Sequence, residues 1–129
     1  MKEIGEGEKG KDASPATVMR ESLEIIRAML EGGEVRYEGK VFSAHAPALK
    51  SDAHVSRARV PMYFAGTGPV LQKMAGSHTD GLLTASITTP EFVRYSRKNM
   101  EEGARKAGKD PASLELGSVI VGSIARDSK

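Results

Sequence analysis

The residues best placed to do chemistry are Gly66, Thr67, Gly68 and Pro69, which follow the apolar run Val60 to Ala65 and precede Val70, Leu71, Met74 and Ala75 at helical spacing. A turn between a strand end and a helix start offers uncommitted N–H groups and the positive end of the helix dipole, an arrangement that receives a phosphate. Glycine permits close backbone approach and Thr67 adds a hydroxyl donor. A lone GxG is also what a plain turn looks like, and its spacing fits neither the GxGxxG dinucleotide fingerprint nor a Walker loop. On the residues alone a structural turn is the simpler reading and a phosphate cradle the sharper one. Thr84 and Ser86, with Thr88 and Thr89, lie at the C-terminal end of the next apolar run, Gly81 to Ile87, where ligands collect in parallel α/β folds. For Thr89 the reading is a helix cap.

Other reactive side chains form no pattern. His45, His54 and His78 are too irregularly spaced for a metal motif, and they read as solvated histidines with no metal site. Glu101, Glu102 and Asp80 are carboxylates without a paired partner at catalytic spacing, and Asp80-Gly81 reads as a turn entering a strand. Lys73 is one turn into the helix after Gly68, within reach of an anion bound there, and equally an ordinary solvated helix residue. No catalytic acid or base is identifiable. Cysteine is absent, which removes disulfides, thiolate metal sites and cysteine nucleophiles together.

These residues must be positioned by elements the sequence marks clearly. Ser14 followed by Pro15 is a helix start. Val18, Ser22, Ile25, Ile26, Met29 and Leu30 are the expected buried face, Arg20, Glu21, Glu24, Arg27 and Glu31 the solvent face, and Gly32-Gly33 the stop. Val35 and Tyr37, then Val41 and Phe42, bracket Glu38-Gly39-Lys40 as a small hairpin. Residues 43–59 carry no period and read as a surface loop. Two strands, 60–65 and 81–87, read as buried on both faces and flank a short helix that Gly76 closes. Thr89-Pro90 starts a longer helix with Phe92, Val93, Ser96, Met100, Ala104 and Ala107 inward and Gly108 at its end. A third strand is expected over Leu114 to Ile124. Strands alternating with helices predict an α/β fold with parallel strands and right-handed crossovers.

The chain has 129 residues, of which 39% are hydrophobic and 28% charged, so it holds one domain at roughly 150 residues per domain and is neither disordered nor a miniprotein. A formal net charge of +2 is too small for a nucleic-acid binder. No apolar stretch reaches membrane-spanning length and the charged, glycine-rich start, MKEIGEGEKGKD, is not a signal peptide; the expectation is a cytoplasmic protein with no membrane partner. Residues 1–13 read as a flexible N-terminal segment and 14–129 as the folded domain.

The ordered series ESLEIIRAMLEGGEVRYEGKVF, then VPMYFAGTGPVLQKMAGSHTDGLLTAS, then PEFVRYSRKNMEEGARKAGKDPASLELGSVIVGSIARD, resembles the C-terminal half of the bacterial luciferase-like monooxygenase superfamily. The Gly-Pro after the strand is similar to the coenzyme F420-dependent branch, which includes methylenetetrahydromethanopterin reductase, more than to the flavin mononucleotide branch. The resemblance implies a partial (β/α)8 TIM barrel, roughly the C-terminal half of a fold of about 250 residues, with the hairpin as a small insertion. It implies an oxidoreductase that transfers hydride between coenzyme F420, or alternatively FMN, and a small-molecule organic substrate. Carried over by position, Gly66, Thr67 and Gly68 approach the cofactor phosphate, with Thr84 and Ser86 near the same mouth.

Two other readings accompany this one. The alternative is a non-catalytic half-barrel that forms a homo-oligomer or pairs with a complementing N-terminal half, since a half-barrel exposes strand edges. An unrelated small α/β binding module would instead require a closed, fully covered sheet within the 129 residues.

Overall fold

The computed structural model describes residues 5–6, 12–48, 59–84, 89–120 and 122–124. The expectations placed on His54, Ser86 and Thr88 lie outside the described residues. The chain divides into two compact units, Met1–Met62 and Tyr63–Lys129.

In the first unit, helix α1 (Pro15–Leu30) begins where Ser14 accepts a hydrogen bond from the Thr17 N–H, with proline inside the first turn. It ends at Gly32, whose φ of 82° is a conformation other residues adopt only with strain. Strands β2 (Val35–Glu38) and β3 (Phe42–Ala46) form the antiparallel hairpin. Strand β1 (Gly5–Glu6) pairs with the outer side of β3, giving the order β1-β3-β2.

The expected loop from residue 43 therefore starts later than the sequence implied. Register pairs Tyr37 with Ala44 and Val35 with Ala46, so Ser43 to Ala46 are strand because a neighbour supplies their hydrogen bonds. The side chains Ser-Ala-His-Ala carry little apolar alternation to announce it.

The buried face of α1 is also rotated from expectation. Leu23 and Ile25 are buried, Ile26 is 45% exposed, and Glu21, assigned to the solvent face, is 1% exposed. The cause is the hairpin turn. Glu21 accepts hydrogen bonds from the backbone N–H groups of Lys40 at 2.8 Å, Val41 at 3.0 Å and Phe42 at 3.0 Å. These donors hold the carboxyl below the usual range against the opposing cost of burial, with the Phe42 N–H contributing most. Gly39 is required beside it, since a Cβ there would come within 2.1 Å of the Glu21 carboxylate.

In the second unit, β4 (Tyr63–Ala65), α2 (Pro69–His78), β5 (Gly81–Thr84), α3 (Pro90–Lys106), a short 3-10 turn (Pro111–Ser113) and β6 (Glu115–Ser118) follow in order. The strands form a parallel sheet ordered β4-β5-β6, with Phe64, Leu82 and Leu116 in one row and Ala65, Leu83 and Gly117 in the next. Each step is strand, helix, neighbouring strand, the βα unit of α/β folds. Thr89 caps α3 by accepting from the Phe92 N–H, as the sequence implied.

The strands are not buried on both faces. Phe64 and Leu82 are buried, while Tyr63 and Leu83, pointing the other way, are 42% and 41% exposed. Period-2 alternation puts one face of the sheet against helices and leaves the opposite face open. Strand β6 stops at Ser118, the partner of Thr84, and residues 119, 120 and 122–124 are not strand although Val119, Ile120 and Ile124 are β-prone. Neither sheet is closed, which excludes the small closed module. No helix among the described residues is long and apolar enough to cross a membrane.

Candidate functional site

Parallel pairing brings the C-terminal ends of three strands to one edge of the sheet, and the turn Gly66 to Gly68 leaves β4 at that edge. Thr84 and Ser118 pair at the same end. From this turn α2 departs. Gly68 is its N-cap, with extended backbone at φ −79°, ψ 150°, and makes no side-chain cap hydrogen bond. The first bond of the helix ladder runs from the Gln72 N–H to the Gly68 carbonyl at 3.0 Å. The N–H groups of Val70 and Leu71, ahead of that bond, have no acceptor within the helix.

The two glycines differ. A Cβ built on Gly68 meets nothing within 4 Å, so the space beside it is open, whereas one on Gly66 would lie 3.0 Å from the Leu71 Cβ and 3.2 Å from the Phe64 ring. Gly66 lets the chain pass close to its own helix. Gly68 leaves room for a ligand. Thr67 between them is exposed. This arrangement suits an anion, because the first turn of α2 has amide donors outside the helix ladder and Gly68 beside them faces open space.

The remaining candidates are placed as follows. Thr84 is 3% exposed and donates its hydroxyl to the Gly117 carbonyl at 3.2 Å, which ties β5 to β6 at the mouth edge. Lys73 is turned along the helix pair, where its ammonium meets the Glu102 carboxylate at 2.9 Å. Lys73 and Lys106 together hold the Glu102 carboxyl down at about 2. His45 is exposed and bonded to Glu34 at 2.9 Å, and His78 shares a 2.6 Å hydrogen bond with Ser77. No cluster of ligating side chains that would hold a metal ion occurs among the described residues.

One set of residues escaped the sequence reading. The helical face expected for α2 included Val70, which is 60% exposed, while Gln72 is completely buried. Its side-chain nitrogen donates to the Thr67 carbonyl at 3.1 Å and to Ser96 Oγ at 2.9 Å, and its oxygen accepts from Asn99 Nδ2 at 2.9 Å. The signal was present only as polar residues at inward spacing on two helices, Ser96 and Asn99 on α3 and Gln72 on α2.

A parallel strand, glycine turn and helix with the turn at the C-terminal edge define a unit of the α/β class, in which ligands collect at strand ends. Residues 2–129 match the luciferase-like monooxygenase family, and the chain belongs to that family. It is 31% identical over 116 residues to the 5,10-methylenetetrahydromethanopterin reductase of Methanopyrus kandleri, covering 90% of this chain and 33% of the relative. It is also 31% identical over 100 residues to the F420-dependent glucose-6-phosphate dehydrogenase of Mycolicibacterium gilvum, covering 75% of this chain and 28% of that one.

Among solved structures, the coenzyme F420-dependent tetrahydromethanopterin reductase from Methanopyrus kandleri matches with TM-score 0.65 and 32% identity over 82% of this chain and 30% of the other. An F420-dependent secondary alcohol dehydrogenase in complex with an F420-acetone adduct matches with TM-score 0.60 and 29% identity, over 84% and 34% respectively. The chain thus spans about a third of the length of these relatives, less than the half the resemblance implied, and its fold is an α/β portion of their TIM barrel, as the resemblance implied.

Proposed function

We propose that this chain is the portion of an F420-dependent oxidoreductase that receives the cofactor phosphate, at the turn Gly66, Thr67 and Gly68. The observation that carries the reading is the α2 N-terminus: a glycine N-cap without a side-chain acceptor, open space at its Cα, and a position at the C-terminal edge of a parallel sheet. The names of the relatives, reductases and dehydrogenases that depend on F420, support the same choice of cofactor over FMN. When bound, the deazaflavin supplies hydride chemistry toward an organic substrate. This chain's own residues supply the backbone N–H groups of Gly68, Val70 and Leu71 and the hydroxyl of Thr67 for binding. Thr84 stiffens the sheet edge beside them, and Ser86 is included in the proposed site on the family resemblance alone.

The test is a fluorescence titration of the purified chain with F420 and, separately, with FMN, repeated with Gly68→Asp, which places a carboxylate in the open space without a steric clash. Binding of F420 that weakens at least tenfold in the mutant, about 1.4 kcal/mol, supports the cradle. F420 binding unchanged by Gly68→Asp removes the turn from the phosphate site, and binding of FMN alone assigns the other cofactor branch.

A second reading follows from the open sheet face. Tyr63 and Leu83 are exposed on it, and β4 and β6 each pair along one side only among the described residues. Unpaired edges and an apolar face are covered in stable proteins, so self-association, or pairing with an N-terminal half of the barrel, suits this unit whether or not it is catalytic. Sedimentation gives the answer: a dimer or larger species fits this reading, and a well-behaved monomer at high micromolar concentration overturns self-association.

A further inference from the structure

We infer that Gln72 is a positioning residue that aims the Gly68 N–H at the ligand of the glycine turn, an inference that rests on the phosphate-cradle reading above. Gln72 lies in the seam between α2 and α3 with no exposure, beside Ser96, equally buried, and Asn99, 8% exposed. An apolar side chain of the same length would fill that seam without the cost of burying an amide. The amide has a consequence outside the seam, where it reaches back five residues to the Thr67 carbonyl at 3.1 Å.

The orientation of that amide is determined by its partners. Ser96 Oγ accepts from its nitrogen at 2.9 Å and Asn99 Nδ2 donates to its oxygen at 2.9 Å. Turning the amide over would set its oxygen against the Thr67 carbonyl and its nitrogen against the Asn99 donor, two repulsive contacts replacing two bonds. The Thr67 carbonyl is therefore held inward, toward the helix pair. The peptide joining Thr67 to Gly68 is planar and trans, so its N–H points opposite to its carbonyl. Holding the carbonyl in turns the Gly68 N–H out, on the residue whose Cα faces open space. A buried hydrogen bond on the inner side of the turn thus fixes a donor on its outer side before any ligand arrives, which lowers the ordering cost of binding.

The test uses Gln72→Met, which keeps the length and removes the amide, and Glu102→Gln, which weakens a different contact between the same two helices. Residual dipolar coupling of the Gly68 N–H in the ligand-free chain reports its direction. Titration with F420 and with the same deazaflavin lacking its phosphate reports the consequence. We expect Gln72→Met to change the Gly68 coupling and to weaken F420 about tenfold while leaving the phosphate-free compound within twofold. Glu102→Gln should change neither.

A Gly68 coupling that is the same in Gln72→Met as in the parent overturns the positioning role, whatever the cofactor does. A changed coupling with F420 affinity unaltered also overturns it as a binding device. Equal weakening of both deazaflavins reduces Gln72 to a packing residue. Failure of the cradle reading itself is seen separately, as F420 binding insensitive to Gly68→Asp. Should Gln72→Met not fold, nuclear Overhauser contacts from the Gln72 amide protons to Thr67 and Ser96 in the unmutated chain decide the matter, their absence overturning the clamp.

Discussion

Two residues show how differently a single side chain can act here. Glu21 is buried and closes the hairpin turn by accepting three backbone N–H groups, so Glu21→Ala leaves three donors, one of them on buried Val41, without their acceptor. We expect a fall in Tm on the order of 10 °C by circular dichroism, with Glu21→Gln intermediate. Because its folded pKa lies below the ordinary value of 4.5, the unfolded chain takes up the proton first. The stabilisation is full above about pH 4.5 and is lost as pH falls toward and through the lowered folded value. An acid melting series should show that loss in the parent chain and a flatter profile in Glu21→Gln. Gly68 is the opposite case. Aspartate there introduces an N-cap acceptor where α2 has none, so Gly68→Asp should raise stability by about 0.5 kcal/mol. Lost F420 binding in that variant then cannot be ascribed to unfolding.

At the scale of elements, the closest contact in the second unit is the crossing of α2 and α3. A Cβ on Gly76 would sit 1.9 Å from the Met100 carbonyl oxygen, and one on Gly103 would sit 1.9 Å from the Lys73 carbonyl oxygen. Each helix thus presents a glycine to the backbone of the other. Either glycine changed to alanine must push the helices apart, and we expect a loss of about 3 kcal/mol by denaturant unfolding. In the first unit, Tyr37 of β2 donates its hydroxyl to Glu24 of α1. Burial, and then that bond, push the phenol up to about 12 from 10.0. The folded state keeps the proton after the unfolded state releases it, so this contribution is present below about pH 10 and is lost between 10 and 12. Tyr37→Phe should remove that alkaline slope, read as Tm against pH.

For the molecule as a whole, what was legible in the sequence was what is determined locally. The starts of α1 and α3 were announced by Ser14-Pro15 and Thr89-Pro90 because a cap bonds within three residues of itself. Apart from β1, which lies in the segment read as flexible, the order of strands and helices followed from hydrophobic runs and their punctuation, and the resemblance to the luciferase-like family came from the same ordered string. The parts that were not legible depend on distant partners. Glu21 looks like a solvated helix residue until the backbone nineteen to twenty-one positions away folds over it. The extent of β3 was decided by the neighbouring strand and not by side-chain propensity. In the site, Gly66, Thr67 and Gly68 were visible as a strand-to-helix turn, whereas Gln72 was not, because two of its partners, Ser96 and Asn99, lie on another helix.

The paired glycines of α2 and α3 also bear on motion. Where two backbones approach with no side chain between them, and Met100 and Ala104 are fully buried alongside, opening the seam exposes much at once. Hydrogen exchange should accordingly rank the amides of residues 74–76 and 100–104 as the slowest in the second unit, with β4 and β6, each paired on one side among the described residues, exchanging earlier. The helical pair is then the cooperative nucleus that persists while the sheet margin breathes. The glycine turn is hinged between them, attached through Gln72 to the slow part and through β4 to the fast one.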